Sequence, residues 1–159
     1  GVSSAASDVY KRQIRALEYF QSTGQKFSDH NKEERQKGSP YNFLYLVLTM
    51  NRKVLYERID KRVDQMMEEG LVKEVKQLLD AGYSRNLVSM QGLGYKEIAS
   101  ALFKECTMEE AVYRLKRDTR HFAKRQMTWF RRERDVTMIN KDNFSNNHEI
   151  VNYLSLIHI

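Results

Sequence analysis

The stretch that most limits the fold of this chain is residues 41–50 (YNFLYLVLTM), which is almost continuously apolar and rich in aromatic and branched side chains. A run of this length and composition is typical of a β-strand covered on both faces, as in a parallel sheet flanked by helices. One turn of a buried helix is the alternative. A strand of this kind in largely helical surroundings predicts an α/β fold.

Most of the remaining chain has the three- and four-residue apolar spacing of amphipathic helices. A second short strand is predicted at Val136–Asn140, and the polar residues 27–40 are predicted to be a loop or a frayed helix. Helices are predicted at residues 14–23, 52–69, 71–81, from 96 onward, 107–135 and 147–154, with Asn51 and a Thr107–Glu110 capping box as start signals. The side chains predicted to face inward are Leu55, Ile59, Val63, Met66, Leu71, Val75, Leu78, Leu79, Ile98, Ala99, Leu102, Phe103, Ala111, Leu115 and Phe122.

Only two strands are visible in the sequence, which is few for an α/β domain of this length. We therefore expect either a mostly helical fold or a parallel-sheet domain that lacks strands from an N-terminal portion. Residues 1–13 start with small polar side chains and show no helical period, and residues 155–159 (SLIHI) are equally atypical. Both ends are predicted to be non-native, which leaves residues 14–154 as the domain.

Composition excludes several classes of protein. The 159 residues suit one domain, and the single cysteine excludes an internal disulfide framework. The four histidines and the cysteine show no metal-ligand spacing, and no apolar run reaches the ~18 residues of a membrane span. We therefore predict a cytoplasmic protein without a metal centre of its own. The net charge of +6 suits an anionic partner.

The positive charge is concentrated in the predicted helix 107–135. Nine Lys and Arg residues but only three acids lie between positions 111 and 135, and the run 124–131 (KRQMTWFR) surrounds a Trp-Phe pair with cations. Cations that neutralise phosphates and rings that stack on bases are typical of a nucleic-acid contact. The alternative is a surface helix with charge pairs, in which Trp129 and Phe130 anchor the core.

Two further patterns allow both a functional and an ordinary interpretation. The glycine-containing loop before residue 96 could let backbone amides approach phosphates, but it is not a Walker A motif, and an ordinary helix entry is the simpler interpretation. Arg58 and Arg62 lie four residues apart on one helix face. They are either members of solvated ion pairs or an arginine fork for a diphosphate.

Several ordered blocks resemble the C-terminal half of bacterial tRNA dimethylallyltransferases. These are residues 15–18 (RALE), 56–66 (YERIDKRVDQM), 92–97 (GLGYKE) and 119–131 (TRHFAKRQMTWFR), the last being the most distinctive. The resemblance implies a P-loop-like α/β fold, of which residues 41–50 are one buried strand. It implies transfer of a dimethylallyl group from dimethylallyl diphosphate to N6 of the tRNA adenosine just 3′ of the anticodon, with Mg²⁺ and in a monomeric full-length enzyme.

The same resemblance implies roles for individual residues. Arg62 is expected to hold the diphosphate leaving group, with Arg58 as a weaker candidate, and no metal ligand is assigned. The residues expected to contact tRNA are Arg12, Arg15, Gln91, Gly92, Leu93, Gly94, Tyr95, Lys96, Lys124, Arg125, Gln126, Met127, Thr128, Trp129, Phe130 and Arg131. The adenine is expected to be flipped out of the RNA between these blocks.

The chain also departs from the family pattern. The P-loop and the Asp general base of the family have no counterpart in the sequence, so we expect a truncated gene product that is inactive alone. A non-catalytic, basic helical RNA-binding module is the competing hypothesis. A DNA-binding regulator ranks third, because no helix-turn-helix pair of suitable lengths is evident.

Overall fold

A computed structural model describes residues 4–157 and divides the chain into two compact units, Gly1–Phe43 and Leu44–Ile159. The elements in chain order are α1 (Ser4–Thr23), α2 (Phe27–Gln36), β1 (Tyr45–Thr49), α3 (Arg52–Glu68), α4 (Leu71–Asp80), α5 (Tyr95–Leu102), α6 (Met108–Phe130), β2 (Val136–Asn140) and α7 (Asn147–Ile157), with short 3₁₀ turns at Val88–Gln91 and Lys141–Asn143. None of the described helices is long and apolar enough to cross a bilayer.

The first unit is a pair of helices joined by a short turn at Gly24. The ring of Tyr19 on α1 packs against Phe27 and His30 of α2, with centroids 5.3 and 5.1 Å apart. Gly24 has a φ of +71°, a conformation that favours glycine, and its amide ends α1 by donating to the Phe20 carbonyl at 2.8 Å. Of the two predictions for residues 27–40, the helical one is correct for their first ten residues.

The start of α1 contradicts one prediction. Residues 1–13 were expected to lack helical structure, yet α1 begins at Ser4 and runs without interruption to Thr23. The spacing of apolar residues does not predict this part of the helix, because Val9 and Tyr10 are more than half exposed and form no buried apolar stripe. Whether residues 1–13 are native stays a prediction, as it does for residues 155–159.

In the second unit, β1 and β2 form a parallel two-stranded sheet in which Val47 is opposite Met138. Both predicted strands are present, although β1 is only five residues long. The expectation that both faces of β1 are covered is wrong: Val47 is 7% exposed, whereas Leu48 on the opposite face is 57% exposed. Side chains alternate between the faces of a strand, so the face that carries Leu48 is left open at that residue.

The core of the second unit lies between α3, α4, α5 and α6. Its buried members are Val63, Leu71, Val75, Met90, Ile98, Ala99, Ala111 and Leu115, most of which were predicted to face inward. Two predicted core residues are instead on the surface, since Phe103 is 53% exposed and Phe122 is 44% exposed. Phe103 follows α5 as its C-cap, and Phe122 lies on α6 beyond the part of that helix that packs in the core.

Side-chain caps fix where the helices begin. The Asn51 side chain accepts the amide of Lys53 at 2.9 Å, and Thr107 accepts the amide of Glu110 at 3.1 Å while Glu110 accepts the amide of Thr107 at 3.0 Å. Both predicted start signals are therefore confirmed. The predicted end of the long helix is not: α6 stops at Phe130 rather than at 135, and the chain turns through Asp135, with a φ of +58°, into β2.

The backbone conformation of Gly94, just before α5, can be tested by substitution. Its φ is +101°, whereas Gly92, two residues earlier, has a φ of −61° that any residue adopts. We expect Gly94→Ala to lower the free energy of unfolding by about 1–3 kcal/mol through backbone strain, and Gly92→Ala to change it by less than about 0.5 kcal/mol. Urea unfolding measures both. Equal effects of the two substitutions would contradict the conclusion that the backbone at Gly94 favours glycine over residues with a side chain.

Candidate nucleic-acid interface

The C-terminal half of α6 presents most of the predicted binding residues to solvent. Lys124, Arg125, Gln126, Thr128, Trp129 and Arg131 are exposed. The Thr128 hydroxyl donates to the Lys124 carbonyl at 3.0 Å, so it serves the helix itself. Trp129 is 54% exposed, which is unusual for the largest apolar side chain and leaves about half of its surface accessible.

The other two residues of this run attach the helix to the rest of the unit. Met127 and Phe130 are half-buried, and the Phe130 ring meets the Tyr45 ring of β1 edge-on with centroids 6.4 Å apart. Phe130 also lies 5.1 Å from the Trp129 ring. The two interpretations of the Trp-Phe pair are thus divided between its members: Phe130 anchors the helix against the sheet, and Trp129 faces outward.

An exposed stripe of two rings and one guanidinium runs along α6. Phe122, Arg125 and Trp129 are three and four residues apart, which places them on one helix face. The Arg125 guanidinium lies over the Phe122 ring at 5.8 Å. Sequence reasoning placed Phe122 in the core; its spacing from Arg125 and Trp129 was the signal that it belongs to the exposed stripe.

The cations of α6 divide into a paired and an unpaired group. Lys116 pairs with Asp64 at 2.5 Å, and Arg120 pairs with Asp60 at 2.6 Å, so α3 supplies acids that a count along α6 overlooks. Arg117 pairs with the adjacent Asp118 at 2.8 Å, which lowers the pKa of that carboxyl. By contrast, Lys124, Arg125 and Arg131 form no ion pair within residues 4–157.

The predicted tRNA-binding loop precedes α5, and its side chains mostly have partners in the protein. The Gln91 amide donates to the Arg85 carbonyl at 2.6 Å, the Tyr95 hydroxyl donates to Glu74, and the Lys96 ammonium lies 3.4 Å from the Glu97 carboxylate. The hydrogen bond to Glu74 raises the pKa of Tyr95.

The glycines of this loop differ in access. Gly92 is exposed and Leu93 half-buried, whereas Gly94 is buried beneath side chains of Leu71 and Met66. Gly94 therefore supports the loop from below, and the Gly92 side of the loop remains open to a ligand.

Arg58 and Arg62 lie on the exposed surface of α3. Arg62 pairs with Glu69 at 3.5 Å, with both side chains more than half exposed, and Arg58 forms neither an ion pair nor a hydrogen bond within the described chain. Arg52 begins the same helix and lines a cavity of about 520 Å³ with Lys124 and Arg131. Because Arg62 is ten residues, or about 15 Å, further along the helix, the structure does not join it to that cavity.

Arg12 and Arg15 are exposed on α1 of the first unit.

No group of three or more His, Cys, Asp or Glu side chains within residues 4–157 is arranged to hold a metal ion. None of these residues is therefore assigned to Mg²⁺.

Comparison with known proteins identifies the family. The family model described as IPP transferase matches residues 4–133. The chain belongs to the IPP transferase family. A tRNA dimethylallyltransferase of Lachnoclostridium phytofermentans is 57% identical over 141 residues, which is 89% of this chain and 45% of the relative. The chain thus spans about half the length of the curated relatives it matches.

Solved structures of the family share the fold. The full-length tRNA isopentenylpyrophosphate transferase of Bacillus halodurans superposes with a TM-score of 0.72 and 42% identity, covering 98% of this chain and 48% of that one. A eukaryotic dimethylallyltransferase described as acting on tRNA superposes with a TM-score of 0.65 and 29% identity. The match covers 82% of this chain and 35% of that one. The predicted resemblance and the α/β, mostly helical fold class are confirmed.

Proposed function

We propose that this chain supplies the RNA-gripping part of a tRNA dimethylallyltransferase, which transfers a dimethylallyl group to N6 of the adenosine 3′ of the anticodon. The observation that carries this proposal is the exposed stripe on α6, where Arg125 and Trp129 have open surfaces beside the unpaired Lys124 and Arg131. Membership of the IPP transferase family and a relative named tRNA dimethylallyltransferase support it.

The charge distribution on α6 favours RNA as the partner. The paired cations Lys116 and Arg120 have already exchanged water for a carboxylate, so they offer little to an incoming phosphate. Lys124, Arg125 and Arg131 have no carboxylate partner within the described chain, and their contact with a phosphate would release condensed counterions. Trp129 adds a stacking face for an unpaired base, which is the form in which a flipped adenine is presented.

Arg62 is the residue we assign to the diphosphate. In the reaction a C–N bond forms to the adenine N6, the C–O bond of the prenyl donor breaks, and the N6 proton is lost. Negative charge builds on the departing diphosphate, and a positioned guanidinium stabilises it. The exposed pair with Glu69 contributes no more than about 1 kcal/mol, so Arg62 can leave it for a phosphate at small cost.

Arg58, one helical turn before Arg62, is the second candidate for the same group. The base that accepts the N6 proton is not assigned to any residue of this chain. The role implied for Mg²⁺ likewise has no ligand cluster among the described residues. The chemistry that this chain supports is therefore binding of tRNA and of leaving-group charge.

RNA binding can be tested by comparing two charge-matched double variants. We expect Lys124→Gln with Arg125→Gln to weaken binding of an anticodon stem-loop RNA and to reduce the slope of log K against log salt concentration by about 0.7–0.9 per cation. Lys116→Gln with Arg120→Gln should leave that slope nearly unchanged but destabilise the fold, because Asp60 and Asp64 lose their partners. Anisotropy of labelled RNA and urea unfolding measure the two effects.

The opposite pattern, in which only the Lys116 and Arg120 changes reduce the salt slope, would remove the C-terminal half of α6 from the proposal. Equal slopes in all variants would remove α6 altogether.

Transfer itself is tested with labelled dimethylallyl diphosphate and tRNA. The 159-residue chain by itself is expected to bind the tRNA but transfer no label, because it spans about half of its relatives' length and has no assigned base. The full-length tRNA dimethylallyltransferase of Lachnoclostridium phytofermentans is the positive control. Turnover by the chain alone would contradict the division of roles proposed above, and absence of tRNA binding would contradict the RNA-gripping role.

A further inference from the structure

A polar cavity of about 260 Å³ lies behind the loop that precedes α5 and is separate from the exposed stripe on α6. Its walls come from that loop, from α5 and from the N-terminal half of α6. The side chains that concern the inference are Gln91, Lys96, Glu97, Ser100, Arg114 and Asp118. The cavity is smaller than the usual pocket for a drug-sized ligand, which suits a single unit of a polymer.

Glu97 is the unusual residue in this wall. Its side chain is 4% exposed, and one carboxylate oxygen, Oε2, accepts the amide of Gly94 at 2.9 Å to cap α5. The other oxygen, Oε1, is buried without a hydrogen bond, and its contact is the Lys96 ammonium at 3.4 Å. Buried carboxylate oxygens normally accept hydrogen bonds, so Oε1 is an acceptor in need of a donor.

Positive charge lies beside this acceptor. Arg114, one helical turn before Asp118 on α6, forms no ion pair or hydrogen bond within the described chain, and it shares the cavity wall with Lys96. Two other charged lining residues are already neutralised, since Arg85 pairs with Glu105 at 2.5 Å and Asp118 pairs with Arg117 at 2.8 Å. The cavity wall thus contains one cation without an ion pair, Arg114, and a buried carboxylate, Glu97, whose Oε1 contacts only the Lys96 ammonium.

A ligand that matches needs an anionic group and a hydrogen-bond donor close together. The repeating unit of RNA has both, namely a phosphate and the ribose 2′-hydroxyl, whereas DNA lacks the second. Gln91 and Lys96 belong both to this wall and to the loop proposed to contact tRNA.

We propose that this cavity receives one nucleotide of the bound RNA, with its phosphate at Lys96 and Arg114 and its 2′-hydroxyl donating to Glu97 Oε1. The proposal rests on the RNA-binding function above and adds a site that reads the sugar. Glu97 then has two roles, in which Oε2 caps α5 and Oε1 distinguishes RNA from DNA.

The test couples a protein change to an RNA change. Single 2′-fluoro substitutions are placed at each loop position of an anticodon stem-loop RNA, since fluorine keeps the sugar pucker but cannot donate. With the unaltered chain, we expect one position at which the substitution weakens binding by about tenfold, the size of a hydrogen bond to a charged group. In Glu97→Gln the amide carbonyl can still cap Gly94 and the NH₂ group replaces Oε1, so the penalty at that position should fall below about twofold.

Arg114→Gln tests the phosphate part and does not alter the cap. It should weaken binding of the unmodified RNA and lower the salt slope by about 0.7–0.9, while the 2′-fluoro penalty stays. Lys76→Gln is the matched control, because Lys76 is exposed on α4 outside the cavity wall and its loss removes the same charge.

The outcomes separate this inference from the function on which it rests. If the unaltered chain does not bind the stem-loop, the proposed function fails and this proposal fails with it. If it binds but no 2′-fluoro penalty is removed by Glu97→Gln, or if Arg114→Gln behaves as Lys76→Gln does, only the cavity assignment is overturned. Should Glu97→Gln not fold, as judged by its unfolding curve, the comparison of Arg114→Gln with Lys76→Gln decides.

Discussion

The contact of α6 with α3 and α5 determines what the rest of this unit can do. Ala111 and Leu115, in the first two turns of α6, are 0% and 1% exposed and pack with Val63 and Ile98. Beyond Leu115 the described residues of α6 include none that is fully buried. The helix is therefore held by its N-terminal half, and its C-terminal half is left with accessible surface that Phe130 steadies against β1.

Electrostatics divides the same helix in the same way. Asp60 and Asp64 of α3 neutralise Arg120 and Lys116, which lie near the buried half. Arg114 in the N-terminal half forms no ion pair within the described chain, and three more such cations, Lys124, Arg125 and Arg131, follow together where the surface is open. A basic helix in which every cation had a partner would have little to gain from phosphates. Here α3 pairs two cations in the middle of α6 and leaves those of its C-terminal half without ion pairs.

The local features of the fold could be predicted from the sequence, and the long-range ones could not. Asn51 and Thr107 cap helices by accepting amides two or three residues away, so a short stretch of sequence is enough to predict these caps. The pairing of Arg120 with Asp60 joins residues that are sixty positions apart, and only packing reveals it. For this reason a count of charges along α6 overstated how many cations are unpaired.

The same reason explains the errors at apolar positions. Leu48 and Phe122 have the chemistry of core residues, and their spacing agrees with the elements they belong to, but burial depends on whether another element covers that face. In the candidate site, the sequence predicts Trp129 and Arg125 as contact residues. It does not predict the buried oxygen of Glu97, because a Glu at the third position of a helix is typical of an ordinary helix cap.

The most direct test of the account uses the fact that Trp129 is the only tryptophan in the chain. Its emission is recorded while an anticodon stem-loop RNA is added, and the anisotropy of labelled RNA gives the binding curve independently. Stacking of a base on the exposed ring predicts quenching that saturates at the same RNA concentration as the anisotropy. Saturable binding with unchanged Trp129 emission would contradict the claim that the exposed stripe of α6 grips the RNA.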